Sequence, residues 1–435
     1  MAKYSFKIED YHAIGHAELE LKGITVIAGV NGCGKSTISR WLFYLINGLS
    51  SYDAMLLSDF RDQLISFFDK NAALIEDMAR YAESDTWQLF ENALSLMSTV
   101  TLSRGGVDKL RYYYDREVEL LKKLLSSFLK SEINVQQKER VLRILGISNV
   151  STALTQLDEK LAGFFEGKLS VYYKYKNERP LKYLVGQINS IYKEQDSFPK
   201  NMSFKEDGVE LLLEKMGKIY TMDQAIYIGV PTALALRQSD RVMLRLLKNK
   251  VLHSNDESSV SSKAESLANL IENMISGSVV EKENLSSVDL MYRNKLGQDI
   301  KLEDIASGYK PLVYMLRLIK NGWLTENTLL EIDEPETNLH PSWVVEFAHL
   351  LVLVHKYFGT KILVASHHPD MVSAIRYIAE KEGVLENTNF YLAEQANNAT
   401  TFDYRDLNAD IEPVFESFNQ SFDTLQRYTD NYGEL

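Results

Sequence analysis

Very little in this chain speaks for an oxidising compartment or a bilayer. One cysteine, Cys33, in 435 residues leaves no partner for an intramolecular disulfide. No N-terminal stretch joins a basic start to an apolar run and a small-residue cleavage site, so the expected compartment is reducing, the cytoplasm. No run approaches the ~20 apolar residues that a spanning helix requires. The best, near Ile226 to Leu236 and Leu350 to Val354, are far shorter, and no membrane partner is expected. Positive charge is also short: 48 Lys and Arg against 60 Asp and Glu give a net charge of -12, a surface that as a whole repels phosphate backbones. Any contact with DNA or RNA therefore has to be a local patch. No internal repeat occurs. What the chain does have is 45% hydrophobic residues, enough for a sizeable core in one large domain or two ordinary ones.

Residues Tyr4 to Ala28 read as two or three short strands, alternating around Phe6 and Ile8, then Ala17 to Leu21, then the apolar run Ile24 to Ala28. A helix is expected from Ser36 to about Ile46, and helical spacing then dominates to about Phe204. Within it Val107, Leu110, Tyr114, Val118, Leu121, Leu125 and Phe128 recur at intervals of three and four, which suits a short paired helix or an ordinary helix of a small helical domain. The second reading is the plainer one for so short a run. Gln224 to Val230 is an apolar run ended by Pro231, and Ser254 to Lys263 is a Ser-rich loop. From Val279 strands and helices alternate, with strands near Val288 to Arg293, Asp299 to Leu302, Thr328 to Ile332 and Lys361 to Ala365, and a helix from about Ser307 to Ile319. The expected fold is α/β. Its head is made by residues 1–50 and 205–407, with a mostly helical insertion at 51–204 and a C-terminal helix at 408–435 whose stripe includes Phe415, Phe418, Phe422, Leu425 and Tyr428.

Gly29 to Thr37 reads GVNGCGKST, directly after an apolar strand and before a helix, the context a phosphate-binding loop requires. Gly29, Asn31, Gly32 and Gly34 form the loop, whose glycines let backbone N–H groups converge on phosphates at the positive end of a helix. Lys35 is expected to reach the β- and γ-phosphates of ATP, Ser36 to ligate Mg²⁺, and Thr37 to donate to a phosphate oxygen. Cys33 lies inside this loop, so a thiol reagent is expected to inactivate and ATP to protect. Thr328 to Ile332 is a second apolar strand that delivers Asp333 and Glu334 at its carboxyl end, where open α/β sheets put their ligands. Asp333 is expected to hold Mg²⁺, directly or through water, and Glu334 to accept a proton from the attacking water.

DEPETNLHP, Asp333 to Pro341, resembles the Walker B and D-loop segment of ABC-class ATPases, in particular the RecF, SMC and OLD-like branch. The Leu-His-Pro ending leans away from transport subunits, which usually carry Asp where this chain has His340. ASHHP, Ala365 to Pro369, resembles the family's switch segment, which implies His367 as γ-phosphate sensor with His368 as runner-up. DIASGYKPL, Asp304 to Leu312, resembles the ABC signature, matching best at Ser307 and Gly308; Tyr309 and Lys310 depart from it. A Ser N-cap at Ser307 is compatible with that role. The resemblance implies an ABC-type ATPase head, with catalysis by Lys35, Glu334 and His367. It also implies a homodimer in which Ser307, Gly308 and Asn338 complete the partner's site.

Heads of this kind resemble ATPase subunits of Septu, PARIS and retron-associated phage-defence systems, which control a separate nuclease or toxin. The alternative is a DNA-repair or chromosome-maintenance ATPase. No nuclease of its own is expected: no tight metal-ligand cluster stands in the insertion, and too few residues follow His367 for a nuclease domain. Tyr11 or His12 is a candidate adenine contact, against a plain core aromatic. No Gln stands out as the Mg²⁺-sensing residue that the family carries. Lys168 to Tyr183 interleaves Lys and Arg with Tyr, as a solvated edge strand or a nucleic-acid groove does, the strand being the reading taken. Arg237, Arg241, Arg245 and Lys248 make a basic helix face, commonly just solvated.

Overall fold

Alternation decides the first strands. In β1 (Tyr4–Tyr11) Tyr4, Phe6 and Ile8 are buried, in β2 (Ile14–Leu21) Ala17, Leu19 and Leu21, and the two pair antiparallel. β3 (Ile24–Ala28) is buried at every position, as a strand covered on both faces must be. The glycine loop follows, and then α1 (Lys35–Ser50). A computed structural model describes residues 2–82, 84–100, 106–192, 197–229, 238–255, 262–283, 288–302, 304–396 and 400–417. The chain divides into two compact units, Met1–Ser50 with Leu181–Leu435, and Ser51–Pro180.

The second unit is helical: α2 (Tyr52–Lys70), α3 (Ala72–Ala79), α4 (Ser84–Ser98), α5 (Gly106–Lys130), α6 (Val135–Leu145) and α7 (Ala153–Glu178). α5 buries Leu110, Tyr114, Val118, Leu121, Leu125 and Phe128 and packs on α3, α4 and α7, so its stripe belongs to an ordinary helical core. Aromatic rings fill that core, with Tyr114 5.0 Å from Phe165 and Phe60 5.6 Å from Phe165 between centroids. Arg179 closes the unit, bound to Asp53 at 3.0 Å and lying over the Tyr52 ring.

In the first unit the chain resumes as α8 (Leu181–Tyr192), β4 (Asn201–Glu206), β5 (Val209–Glu210), β6 (Gln224–Ile228), α9 (Gln238–Leu252), α10 (Ser262–Met274), β7 (Gly277–Glu283), β8 (Val288–Asn294) and β9 (Asp299–Lys301). It ends with α11 (Tyr309–Lys320), β10 (Thr328–Asp333), α12 (Pro341–Phe358), β11 (Lys361–Ser366), α13 (Pro369–Lys381), β12 (Thr388–Gln395) and β13 (Phe402–Asn408). Ten strands form one mixed sheet in the order β5-β4-β1-β2-β13-β12-β3-β11-β10-β6, and β7, β8 and β9 form a small antiparallel sheet. From β12 to β6 neighbouring strands run parallel. Asp333 pairs with Ala365 and Ser366 with Ala28, so the carboxyl ends of β10, β11 and β3 finish level, side by side. Val26, Ile228, Leu330, Ile332 and Val364 bury one face against α11, α12 and α13. The alternate positions of β10, Leu329, Glu331 and Asp333, turn to the other face, where α1 packs on β6, β10 and β11.

Three expectations change, and a fourth falls mostly outside the described residues. The insertion divides from the head at 180 rather than 204, because α8 buries Leu184, Ile188 and Tyr192 in the first unit, with Tyr192 stacked 4.4 Å from Tyr44 of α1, and β4 pairs with β1. Residues 168–183 are not a strand: α7 continues to Glu178, its buried stripe of Leu157, Leu161, Phe165 and Tyr172 running at helical spacing, and α8 starts at Leu181. The N-cap of α11 is Gly308, not Ser307, whose side chain is exposed and caps nothing. At the C-terminus 412–417 is helical, and the rest of the expected 408–435 helix, with Phe418, Phe422, Leu425 and Tyr428, lies outside the described residues, as does Arg237 of the basic face.

Candidate nucleotide-binding site

The loop after β3 needs backbone that only glycine adopts freely. Gly32 has φ 81° and Gly34 φ 102°, and a Cβ on Gly34 would sit 2.6 Å from Ile14 Cγ1. Val30, Asn31 and Gly32 form the exposed tip, whereas Cys33 is buried, its carbonyl accepting a hydrogen bond from the Tyr404 hydroxyl of β13 at 3.0 Å. A thiol reagent therefore does not meet Cys33 at the surface, as its place in the loop had suggested. Thr37 and Ile38 N–H groups both donate to the Gly34 carbonyl, which turns the loop into α1.

Lys35 folds back over the loop. It is 5% exposed, and its Nζ donates to the Gly29 and Val30 carbonyls at 2.8 and 2.9 Å, so the ammonium stands in the loop's own concavity. Ser36 donates to Asp333, the last residue of β10, and so joins the first two strand ends. Asp333 Oδ2 also accepts the Tyr227 hydroxyl of β6 at 2.9 Å, while Oδ1 is buried with no hydrogen-bond partner among the described residues. Burial, with the Glu334 charge adding to it, holds this carboxyl above its usual range against the pull of Ser36, Tyr227 and Lys35. Glu331 behind it is wholly buried, neither oxygen has a hydrogen-bond partner among the described residues, and burial followed by the Asp333 charge pushes it well above the carboxylate range.

Backbone geometry separates the two acids at the strand end. Glu334 has φ 52°, its N–H donates to the Ala365 carbonyl at 2.8 Å, and its side chain is 38% exposed in the mouth of the site. His367, just past β11, points its Nδ1 between two carboxylates, 3.6 Å from Glu334 Oε1 and 3.2 Å from Glu336 Oε1. His368 instead caps α13, accepting from the Asp370 N–H. Glu336 was not singled out in the sequence, yet it is 6% exposed and accepts from the Ser366 hydroxyl and the His367 N–H.

Ser307, Gly308 and Asn338 form a second cluster. A Cβ on Gly308 would lie 2.6 Å from the Asn338 carbonyl, and Asn338 has φ 63°, so the turn after β10 lies directly against the start of α11. The Tyr309 ring stacks on Trp343 of α12, 5.3 Å apart at 12°. His340 caps α12 through Ser342. Tyr11 is 9% exposed and packs edge-on to Trp41 at 6.0 Å, a core aromatic, while His12 is exposed in the turn after β1.

The donor set fits a magnesium ion held with a nucleotide. One hydroxyl and one carboxylate meet at Ser36 and Asp333, the latter with an orphaned buried oxygen, and Mg²⁺ commonly takes one or two protein ligands and completes its shell with phosphates and water. Among the described residues no group of three or more His, Cys, Asp or Glu side chains is placed to hold a metal unaided. No helix there is long and apolar enough to cross a membrane.

A family model described as AAA ATPase domain matches residues 1–372. No curated protein matches the chain. Among solved structures the chain is similar to the SMC head domain from Thermotoga maritima, at 14% identity and TM-score 0.28, over 48% of this chain and 65% of that one. It is also similar to the Smc head domain with an extended coiled coil from Pyrococcus furiosus, bound to the C-terminal domain of ScpA, at 12% identity and TM-score 0.36, over 99% and 100%. A third is the Smc head domain with a coiled coil and joint from Pyrococcus yayanosii, at 13% identity and TM-score 0.29, over 89% and 59%.

Proposed function

The chain belongs to the AAA ATPase domain family, and we propose that it hydrolyses Mg-ATP at the level ends of β3, β10 and β11 as an ABC-type head that closes with a second copy of itself. The observation that supports this best is the contact chain from Lys35 and Ser36 through Asp333 to Glu334 and His367, drawn from three adjacent parallel strands.

Lys35 exchanges the Gly29 and Val30 carbonyls for the β- and γ-phosphates, and Gly29, Asn31, Gly32, Gly34 and Thr37 bring loop donors to the same oxygens. Ser36 and Asp333 hold Mg²⁺, which when bound neutralises charge that develops on the phosphates. Glu334 takes a proton from water, whose oxygen attacks the γ-phosphorus as the bond to ADP breaks. His367, whose ring lies near Glu334 and Glu336, donates to the γ-phosphate. Ser307, Gly308 and Asn338 close the other side of the partner copy's nucleotide.

The output passes to a separate protein, a nuclease or toxin, in phage defence. What supports that reading is the resemblance of DEPETNLHP to the RecF, SMC and OLD-like branch, whose OLD-like heads resemble the ATPase subunits of such systems. A neighbouring gene for a nuclease or reverse transcriptase would support it, and a setting among replication genes would favour the repair alternative. The chain itself cuts neither DNA nor RNA; cleavage by purified protein that a point mutant abolishes overturns this. For dimer closure, Glu334→Gln with Mg-ATP is expected to run at twice the mass of Lys35→Ala in light scattering, and equal masses contradict it.

A further inference from the structure

Glu336 has no task in the reaction above, yet its side chain is only 3% exposed beside partly open Glu334 and His367. A buried carboxylate is costly unless it is hydrogen-bonded. Both donors that Glu336 Oε1 accepts come from one short segment, the Ser366 hydroxyl at 2.8 Å and the His367 N–H at 2.9 Å, while Oε2 is buried without a partner among the described residues. The imidazole Nδ1 comes within 3.2 Å of the same Oε1 but off the line of a hydrogen bond, so the firm hold is on the backbone and on Ser366.

We propose that Glu336 is a positioning residue for hydrolysis, a buried clamp that fixes the turn 366–368 and so sets His367 against Glu334. This rests on the ATPase reading of the site. Glu336 stands in the turn between Glu334 and Asn338, with the Leu339 N–H donating to its carbonyl and Thr337 N–H to that of Glu334, so one rigid turn carries the proton acceptor, the clamp and the residue that abuts α11. The Ser366 hydroxyl also receives the His368 N–H at 3.0 Å, which extends the clamp across the whole switch turn. Removing the carboxylate charge frees the turn without touching Lys35, Ser36 or Asp333, so nucleotide affinity stays while the approach of His367 to Glu334 loosens.

The test is a double-mutant cycle read by single-turnover ATP hydrolysis and by ATP affinity, on wild type, Glu336→Gln, His367→Ala and the double variant. Glu336→Gln is expected to lower the rate ~10- to 100-fold with affinity nearly unchanged, and to have no further effect in the His367→Ala background. Ser366→Ala, which removes a single donor, is carried through the same cycle in case Glu336→Gln does not fold, with a smaller fall that also vanishes beside His367→Ala. Wild-type rates in these variants, or losses that add to that of His367→Ala, overturn the proposal. Absence of Glu334-dependent hydrolysis in the wild type is a separate result and removes the ATPase reading itself.

Discussion

Tyr404 acts on the phosphate loop from a strand near the far end of the chain: its hydroxyl is the donor to the buried Cys33 carbonyl. Tyr404→Phe leaves that carbonyl unpaired, a cost of about 1 kcal/mol, and is expected to weaken ATP binding roughly fivefold in calorimetric titration. Unchanged affinity would mean that the loop holds its shape alone. Such a residue was not legible beforehand, because nothing local in the sequence ties position 404 to position 33; sheet order does, through β13 beside β12 and β12 beside β3. Tyr227 escaped notice in the same way. Lys35, Ser36, Asp333 and Glu334 were legible because each sits at a fixed offset from a strand end.

At the scale of elements, the strands around the site could be read from apolar runs bounded by glycine or acids, since burial on both faces leaves little room for polar residues. Helical periodicity gave the helices but not the core each one joins, which is why α8 was assigned to the insertion. Residues 168–183 misled because alternating Tyr and Lys suits a strand, whereas long lysine stems lie along a helix and place their charges over rings, as Lys168 over Phe164 at 5.5 Å and Lys176 over Tyr172 at 5.7 Å. The stack of Tyr309 on Trp343 ties α11 to α12. Tyr309→Ala is expected to lose ~1 kcal/mol and to lower Tm by about 2–4 °C, and a wild-type Tm would show the stack to be incidental.

In the helical unit Glu117 of α5 is fully buried, neither oxygen has a hydrogen-bond partner among the described residues, and burial, only partly offset by Arg116, raises its carboxyl to about 8. A carboxyl raised in the folded state contributes stability that is complete below its unfolded value and is lost as pH rises through the folded one. Wild-type Tm should therefore fall from pH 5 to pH 8 more than that of Glu117→Gln. Parallel curves would place the charge in water.

For the whole molecule, the account requires two copies. A Ser307→Arg chain and a Lys35→Ala chain should each be inactive, whereas a mixed dimer keeps one site with an intact Lys35 and an intact Ser307, so mixing restores partial hydrolysis. No recovery in confirmed mixed dimers would exclude sharing across the interface. The central claim, that Lys35 binds the phosphates and Glu334 activates the water, is tested most directly by measuring ATP affinity and turnover together in wild type, Lys35→Ala and Glu334→Gln. The account predicts that Lys35→Ala loses tight binding, while Glu334→Gln binds like wild type and turns over at least ~100-fold more slowly. Equal turnover in wild type and Glu334→Gln would contradict it.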